Sequence, residues 1–291
     1  LNHIFSRRTA KGGIEYFAPD EVEMKTDAGG GIAAATLKAD GSAVDYGGIG
    51  TMSKSKRNGV DPQELIERYG ADTARLYVMF ASPPTDTILW SDSSVEGSFR
   101  FLRRVWKLVH DHLAAGPAAG PVPGELSAEL KDLRFKLHRT IDKVGDDYGR
   151  RLQFNTAIAA VMELLNALTD VKDTSRAARA VAQEVLEAAV LLLSPIVPHI
   201  ATALWAELRP GTRLLDQAWP EVDRAALARD TVELVLQVNG KLRGHLTVAT
   251  DASREEIEKI ALASEAAAKF MEGRPAKKVV VVPGRLVNIV A

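Results

Sequence analysis

A short basic loop, residues 51–59, gathers side chains that suit a reacting polyphosphate, and it reads Thr-Met-Ser-Lys-Ser-Lys-Arg-Asn-Gly. Lys54 carries a compact ammonium group on a flexible stem, and Ser53 and Ser55 place a hydroxyl donor on either side of it. Three glycines within residues 47–50 give the backbone in front of the loop freedom to move. A mobile cation of this kind can follow the negative charge that builds on a departing phosphate, so Lys54 is the candidate catalytic residue.

A helix is predicted to begin directly behind the loop. Asp61 can accept the first free amides as N-cap, Pro62 fits the first helical position, and Glu64 lies three residues after the cap. The loop that carries the lysine is therefore tethered to a rigid element.

The stretch Met52-Ser53-Lys54-Ser55 resembles the second signature of the class I aminoacyl-tRNA synthetases, which normally reads Lys-Met-Ser-Lys-Ser. Thr51 stands where the first lysine of that signature is usual, and Lys56 and Arg57 are candidates for supplying the missing charge. The runs 58–62 and 69–75 resemble the subgroup for leucine, isoleucine, valine and methionine, and the leucyl-tRNA synthetases are the most similar. The resemblance implies an ATP-binding loop made of Met52, Ser53, Lys54 and Ser55.

The same resemblance implies the substrates and the setting. ATP and leucine would form an adenylate, tRNA(Leu) would accept the leucine, and Mg²⁺ would accompany the ATP, although no carboxylate in the sequence is a convincing ligand. The enzyme would be monomeric and cytoplasmic. Such a synthetase carries upstream a nucleotide-binding fold with a His-Ile-Gly-His signature, which is missing from this sequence. We therefore expect the chain to be a C-terminal part that is inactive alone.

Composition sets broad bounds on the fold. The 291 residues, 46% hydrophobic and 26% charged, predict a soluble globular protein of two to four domains. No apolar run is long enough to cross a membrane, and the absence of cysteine excludes disulfides and thiolate metal sites. Because the formal net charge is −1, any contact with RNA must come from local basic patches.

The elements that must position the loop differ on its two sides. Residues 1–50 show short apolar runs broken by glycine and aspartate, which predicts strands and turns, and they stand where leucyl enzymes carry a small insertion. Residues 51–92 combine the loop with two connector helices that break at Gly70 and end at Pro83-Pro84.

Residues 93–222 show helical periodicity and predict an antiparallel bundle of five helices. Ser94 is the expected cap of the first helix, and Asn155 or Thr156 that of the third. The predicted inward stripe of the first helix is Val95, Phe99, Leu102, Trp106, Val109 and Leu113, and its basic outer face is Arg100, Arg103, Arg104 and Lys107. By resemblance this bundle is of the anticodon-binding type.

In residues 230–291 the spacing of the apolar residues changes from a helical to a strand period, which predicts a compact ββαββ domain. Asn239-Gly240 makes a hairpin turn, Ser253 opens one helix through a capping box, and Pro283-Gly284 separates the last two strands. The clustered basic residues that we expect to contact tRNA are Lys241, Arg243, Lys277, Lys278 and Arg285. The chain is thus predicted to be multidomain and mainly α-helical, with a β-rich start and an α+β end.

Two alternatives remain open at this stage. The chain could be a tRNA-docking module whose signature loop is an inert remnant, which would bind tRNA in a salt-dependent way and bind no ATP. Within the enzyme class, it could be part of an isoleucyl- or valyl-tRNA synthetase. The lack of cysteine disfavours the terminal zinc site expected of the former, and the ββαββ ending replaces the coiled coil expected of the latter.

Overall fold

The computed structural model describes residues 1–116, 120–228, 231–250, 252–271, 274–282 and 284–290, so the predicted turn residue Pro283 lies outside the described part. The chain divides into two compact units, Leu1–Val222 and Asp223–Ala291. The strands are β1 Asn2–Arg8, β2 Ile14–Phe17, β3 Val22–Thr26, β4 Ile32–Leu37, β5 Asp45–Gly50, β6 Thr231–Val238, β7 Lys241–Ala249, β8 Lys278–Val282 and β9 Leu286–Val290. The helices are α1 Pro62–Tyr69, α2 Ala71–Ala81, α3 Asp92–Ala114, α4 Ala128–Asp146, α5 Phe154–Asp170, α6 Arg176–Leu193, α7 Pro198–Leu208, α8 Arg254–Ala263 and α9 Glu265–Met271.

Two small antiparallel sheets fill the first 50 residues, where the sequence predicts short strands. One sheet has the order β2-β1-β5, and the other pairs β3 with β4. Their shared core is small and centres on Phe5, which is fully buried against Phe17 and Val22. Strand β5 ends at Gly50 and delivers the chain into the basic loop.

The connector behind the loop begins as the sequence predicts. The Asp61 carboxylate accepts a hydrogen bond from the Gln63 amide at 2.8 Å, and Pro62 occupies the first turn of α1. Gly70 separates α1 from α2 with a φ of 84°, a backbone conformation that side chains strongly disfavour. The corner between the two helices therefore depends on glycine.

Helices α3 to α7 pack around one apolar core, which also receives Leu76 of α2. Leu137 of α4, Leu164 of α5 and Leu192 of α6 are fully buried in it. Repeated leucine, isoleucine and valine at helical spacing produce this core, since each such side chain contributes roughly 1.5 to 3 kcal/mol when it leaves water. Among the described residues, no helix is both long and apolar enough to cross a lipid bilayer.

Three local predictions in the bundle are wrong. Ser91 caps α3 in place of Ser94, because its hydroxyl accepts the Ser94 amide and the helix begins at Asp92. Trp106 is 41% exposed and lies outside the buried stripe of α3. Helix α5 begins behind Gln153 without a side-chain cap. Thr156, one of its expected caps, instead donates a hydrogen bond to the carboxylate of Asp147 at 2.6 Å.

The second unit is a four-stranded sheet with the order β7-β6-β9-β8, in which β6 and β9 run parallel and the other neighbours antiparallel. Helices α8 and α9 pack against it around Leu234, Val287 and Ile289, which are fully buried. The predicted single helix is divided, because Ser264 is extended (φ −71°, ψ 146°) and its hydroxyl accepts the Ala267 amide at the start of α9. The order of elements is ββααββ.

Candidate functional site

Lys54 lies on an exposed turn that the loop itself builds. The Arg57 amide donates to the Lys54 carbonyl at 3.2 Å and closes the turn. The Ser53 hydroxyl accepts the Lys56 amide at 3.3 Å and lies 3.3 Å from the Ser55 hydroxyl. Lys54 is thus exposed on a short structured turn, between two serines whose hydroxyl groups lie close to each other.

Asn58 fixes the base of this turn from inside the protein. Its side chain is fully buried, its amide oxygen accepts the Ser53 amide at 2.9 Å, and its amide nitrogen donates to the Thr51 carbonyl at 3.3 Å. The Asn2 side chain donates in turn to the Asn58 carbonyl at 3.2 Å. No role for Asn58 is predicted from its residue type, because an asparagine before a glycine is typical of any turn. Asn58 is the polar residue that follows the basic run of the loop, and this position is the signal that could have indicated its structural role.

Arg57 connects the loop to the β-rich start of the chain. Its guanidinium donates to Glu21 at 2.8 Å and to the Tyr16 carbonyl at 3.3 Å, while its backbone is left-handed with a φ of 51°. A hydrogen bond from the Ala18 amide and the Arg57 guanidinium together hold the pKa of the Glu21 carboxyl below its ordinary value. The guanidinium is therefore engaged with the β-rich start of the chain.

Helix α2 holds the turn between α6 and α7 with two charged side chains. The buried Asp72 carboxylate accepts the Ile200 amide at 2.7 Å, which caps α7 from outside that helix. Arg75 donates to the carbonyls of Ile196 at 2.7 Å and Pro195 at 3.0 Å. In the sequence, Asp72 and Arg75 are notable only as members of the run 69–75 that carries the family resemblance. Their spacing of three on a largely apolar helix was the signal that they share one face.

The basic residues predicted to contact tRNA fall into separate places on the second unit. Lys241 pairs with Val238 in the sheet, and Lys277 and Lys278 lie beside Val290, so these three exposed lysines share one end of it. Arg285 precedes β9 and lies at the opposite end. Arg243 is half-buried, with its guanidinium 4.1 Å from the centre of the Phe270 ring. The structure thus places three of the five residues at one end of the sheet, with Lys277 and Lys278 on one edge and Lys241 on the opposite edge strand.

The comparisons with known proteins agree with this geometry. Residues 40–91 match the family model described as tRNA synthetases class I (I, L, M and V), and residues 131–260 match the anticodon-binding domain of tRNA ligase. The leucine–tRNA ligase of Nitrosospira multiformis is 60% identical over 100% of this chain and 34% of that protein. The leucine–tRNA ligase of Chromobacterium violaceum is 60% identical over 98% of this chain and 33% of that protein.

The chain belongs to the leucyl-tRNA synthetases. It spans about a third of the length of the curated relatives it matches, and corresponds to their C-terminal part. A solved leucyl-tRNA synthetase of Agrobacterium radiobacter K84, in a ternary complex with tRNA and LeuAMS, superimposes with a TM-score of 0.69 at 29% identity. That match covers 82% of this chain and 31% of the other. The relatives decide against the isoleucyl and valyl alternatives and support the synthetase interpretation over a separate docking module.

Magnesium has no evident site in this part of the leucyl-tRNA synthetase. Within the described ranges, no three histidine, aspartate or glutamate side chains come together in a way that could hold a metal ion. We assign no residue of this chain to the Mg²⁺ that the family implies, and no step to the ion.

Proposed function

We propose that this chain supplies the leaving-group half of the adenylation site of a leucyl-tRNA synthetase, and that its helical bundle and C-terminal domain bind tRNA. In this assignment residues 1–50 are the leucine-type insertion and residues 51–92 carry the loop and connector. Residues 93–222 are the anticodon-binding bundle, and residues 230–291 the terminal tRNA-binding domain. The enzyme works as a cytoplasmic monomer on ATP, leucine and tRNA(Leu). The observation that carries the proposal is the exposed Lys54 ammonium on a turn whose base is buried and hydrogen-bonded.

Lys54 stabilises the negative charge that develops on the departing pyrophosphate. When a leucine carboxylate oxygen attacks the α-phosphorus of ATP, the bond to the bridging oxygen breaks and pyrophosphate departs with the electron pair. A cation that meets this charge only as it develops lowers the barrier without tightening substrate binding. A unit charge pair at about 4 Å is worth on the order of 4 kcal/mol at an effective dielectric near 20. Ser53 and Ser55 add hydroxyl donors beside the same phosphates.

The test is Lys54→Ala in the complete synthetase, measured by leucine-dependent exchange of pyrophosphate into ATP. Loss of one preorganised donor commonly costs about 3 to 4 kcal/mol, so the exchange rate should fall at least about a hundredfold. Leucine binding should change little, because the leaving group is remote from it.

Lys25→Ala is the matched control, since Lys25 is an exposed lysine on β3 outside the loop. It should exchange pyrophosphate at the wild-type rate. A near-normal exchange rate in the Lys54→Ala variant would contradict the proposed role of Lys54 and indicate that the loop is only structural.

A further inference from the structure

Helix α2 connects the loop to the bundle through contacts that a simple hinge would not need. Asp72 and Arg75 are charged groups that hydrogen-bond to backbone atoms of the α6–α7 turn and of the first turn of α7. Helix α7 offers no side chain of its own at its N-cap, Val197, so the Asp72 carboxylate supplies the acceptor for its Ile200 amide. Charged hydrogen bonds are stronger and more directional than neutral ones, which suits a fixed joint.

The corner at Gly70 is also braced. The Thr73 hydroxyl, almost fully buried, donates across the corner to the Tyr69 carbonyl at 2.7 Å. The Tyr69 ring packs edge-on against Phe99 of α3, with 5.6 Å between ring centres, and its hydroxyl donates to Glu96 at 3.2 Å. These hydrogen bonds and the backbone of α1 together connect the α6–α7 turn to the Asp61 cap, which directly follows the loop.

We propose that Asp72 and Arg75 are positioning residues that hold the Lys54 loop in register with the bundle. They touch neither ATP nor leucine, and they act by fixing α2 and, through the braced corner, the base of the loop. A displacement of about 1 Å at a reacting group can cost on the order of a hundredfold in rate. The inference rests on the proposed role of Lys54 and adds the residues that align it.

The experiment is a double-mutant cycle in the complete synthetase with Lys54→Ala, Arg75→Ala and the double variant, read by pyrophosphate exchange. Arg75→Ala should lower kcat at least about tenfold and leave the KM for leucine within about twofold. On the Lys54→Ala background the same substitution should lower kcat by less than about twofold, because the ammonium group that Arg75 is proposed to align is already missing. A purely structural role would instead make the two losses multiply.

Arg139→Ala is the matched control, because Arg139 is an exposed arginine of α4 whose guanidinium lies over the Phe135 ring. It should leave kcat unchanged. Thermal melting shows whether the Arg75→Ala variant is folded. If it is not, Arg75→Lys takes its place in the cycle with the same criterion, because lysine keeps the charge and one hydrogen bond. Full kcat in the Arg75 variant, or losses that multiply, overturn the inference. Normal exchange in Lys54→Ala alone would overturn the proposed function as well, so the two failures are distinguishable.

Discussion

At the scale of single residues, Asn58 fixes the base of the turn that carries Lys54. It is fully buried, and it accepts and donates across the base of the turn that presents Lys54. Asn58→Ala would leave the Ser53 amide and the Thr51 carbonyl without these partners, at about 1 to 3 kcal/mol for a buried unsatisfied group. We expect a pyrophosphate-exchange rate reduced about tenfold or more, with the loop loosened and the fold retained.

The matched control for this variant is Asn166→Ala, an exposed asparagine on α5. It should exchange pyrophosphate normally. A wild-type rate in Asn58→Ala, with an unchanged melting temperature, would show that the loop is held by other contacts.

Asp147 is a second buried polar residue, and it gives the bundle a pH-dependent part of its stability. It is fully buried, with Lys143, Arg151 and Thr156 donating to its carboxylate. Burial opposes ionisation, but the Lys143 and Thr156 hydrogen bonds outweigh it and hold the pKa of Asp147 below its ordinary value. Its stabilisation is therefore complete above the unfolded pKa of about 3.9 and is lost as the pH falls through the lower folded pKa.

Thermal melting of Asp147→Asn and wild type between pH 7 and pH 3 tests this. The variant should be less stable at pH 7, and the difference should shrink towards pH 3 as the wild-type carboxylate takes up its proton. The control, Asp142→Asn, removes an exposed carboxylate of α4 and should track the wild type throughout. A difference that stayed constant with pH would assign the effect to packing.

At the scale of elements, the decisive feature is the corner between α1 and α2. Gly70 has φ 84° and ψ 153°, and a Cβ added there would meet no heavy atom within 4 Å. The cost of Gly70→Ala is therefore conformational, about 1 to 3 kcal/mol. We expect a lower melting temperature. We also expect slower adenylate formation, because an alanine that leaves the strained backbone conformation would reorient α1 and displace the loop in front of it.

Gly124→Ala is the control for the corner, since Gly124 also has open space around it and lacks a positive φ. It should melt at the wild-type temperature or above, because alanine restricts the unfolded chain more than glycine does. Equal melting temperatures for the two variants would show that α1 and α2 adapt to a side chain at the corner.

At the scale of the whole molecule, a formal net charge of −1 means that the proposed tRNA binding must depend on local basic residues. The lysines at 241, 277 and 278 share one end of the sheet in the second unit. Replacing all three with alanine should weaken tRNA binding and make it less dependent on salt, by about 0.9 in the log–log slope for each lost contact to a duplex phosphate. Filter binding at several salt concentrations measures this.

The matched control for the triple variant is Lys259→Ala, an exposed lysine of α8 outside this set. Its salt slope should equal that of the wild type. An unchanged slope in the triple variant would show that tRNA contacts another part of the chain, for example the basic face of α3.

The sequence by itself determined the loop, its capped helix and the periodic helices, because these depend on neighbours within a few residues. Asp61 caps α1 through an amide two positions away, and Gly70 breaks the connector through its own φ. The apolar repeats of α4 lead to one buried stripe, as helical spacing requires. Even local signals failed where two serines competed, as at Ser91 and Ser94 of α3.

Only the tertiary structure decided which polar groups meet across long separations. Asn2 and Asn58 are 56 residues apart, and Arg75 and Ile196 are 121 apart, so no spacing in the sequence joins them. The same holds for the basic residues of the second unit, since the sheet order puts Lys241 and Lys278 at the same end of the sheet but on opposite edge strands, and puts Arg285 at the far end. Hydrogen bonds of this kind form only after the apolar core has fixed the elements, because the directions of their donors and acceptors are set by packing.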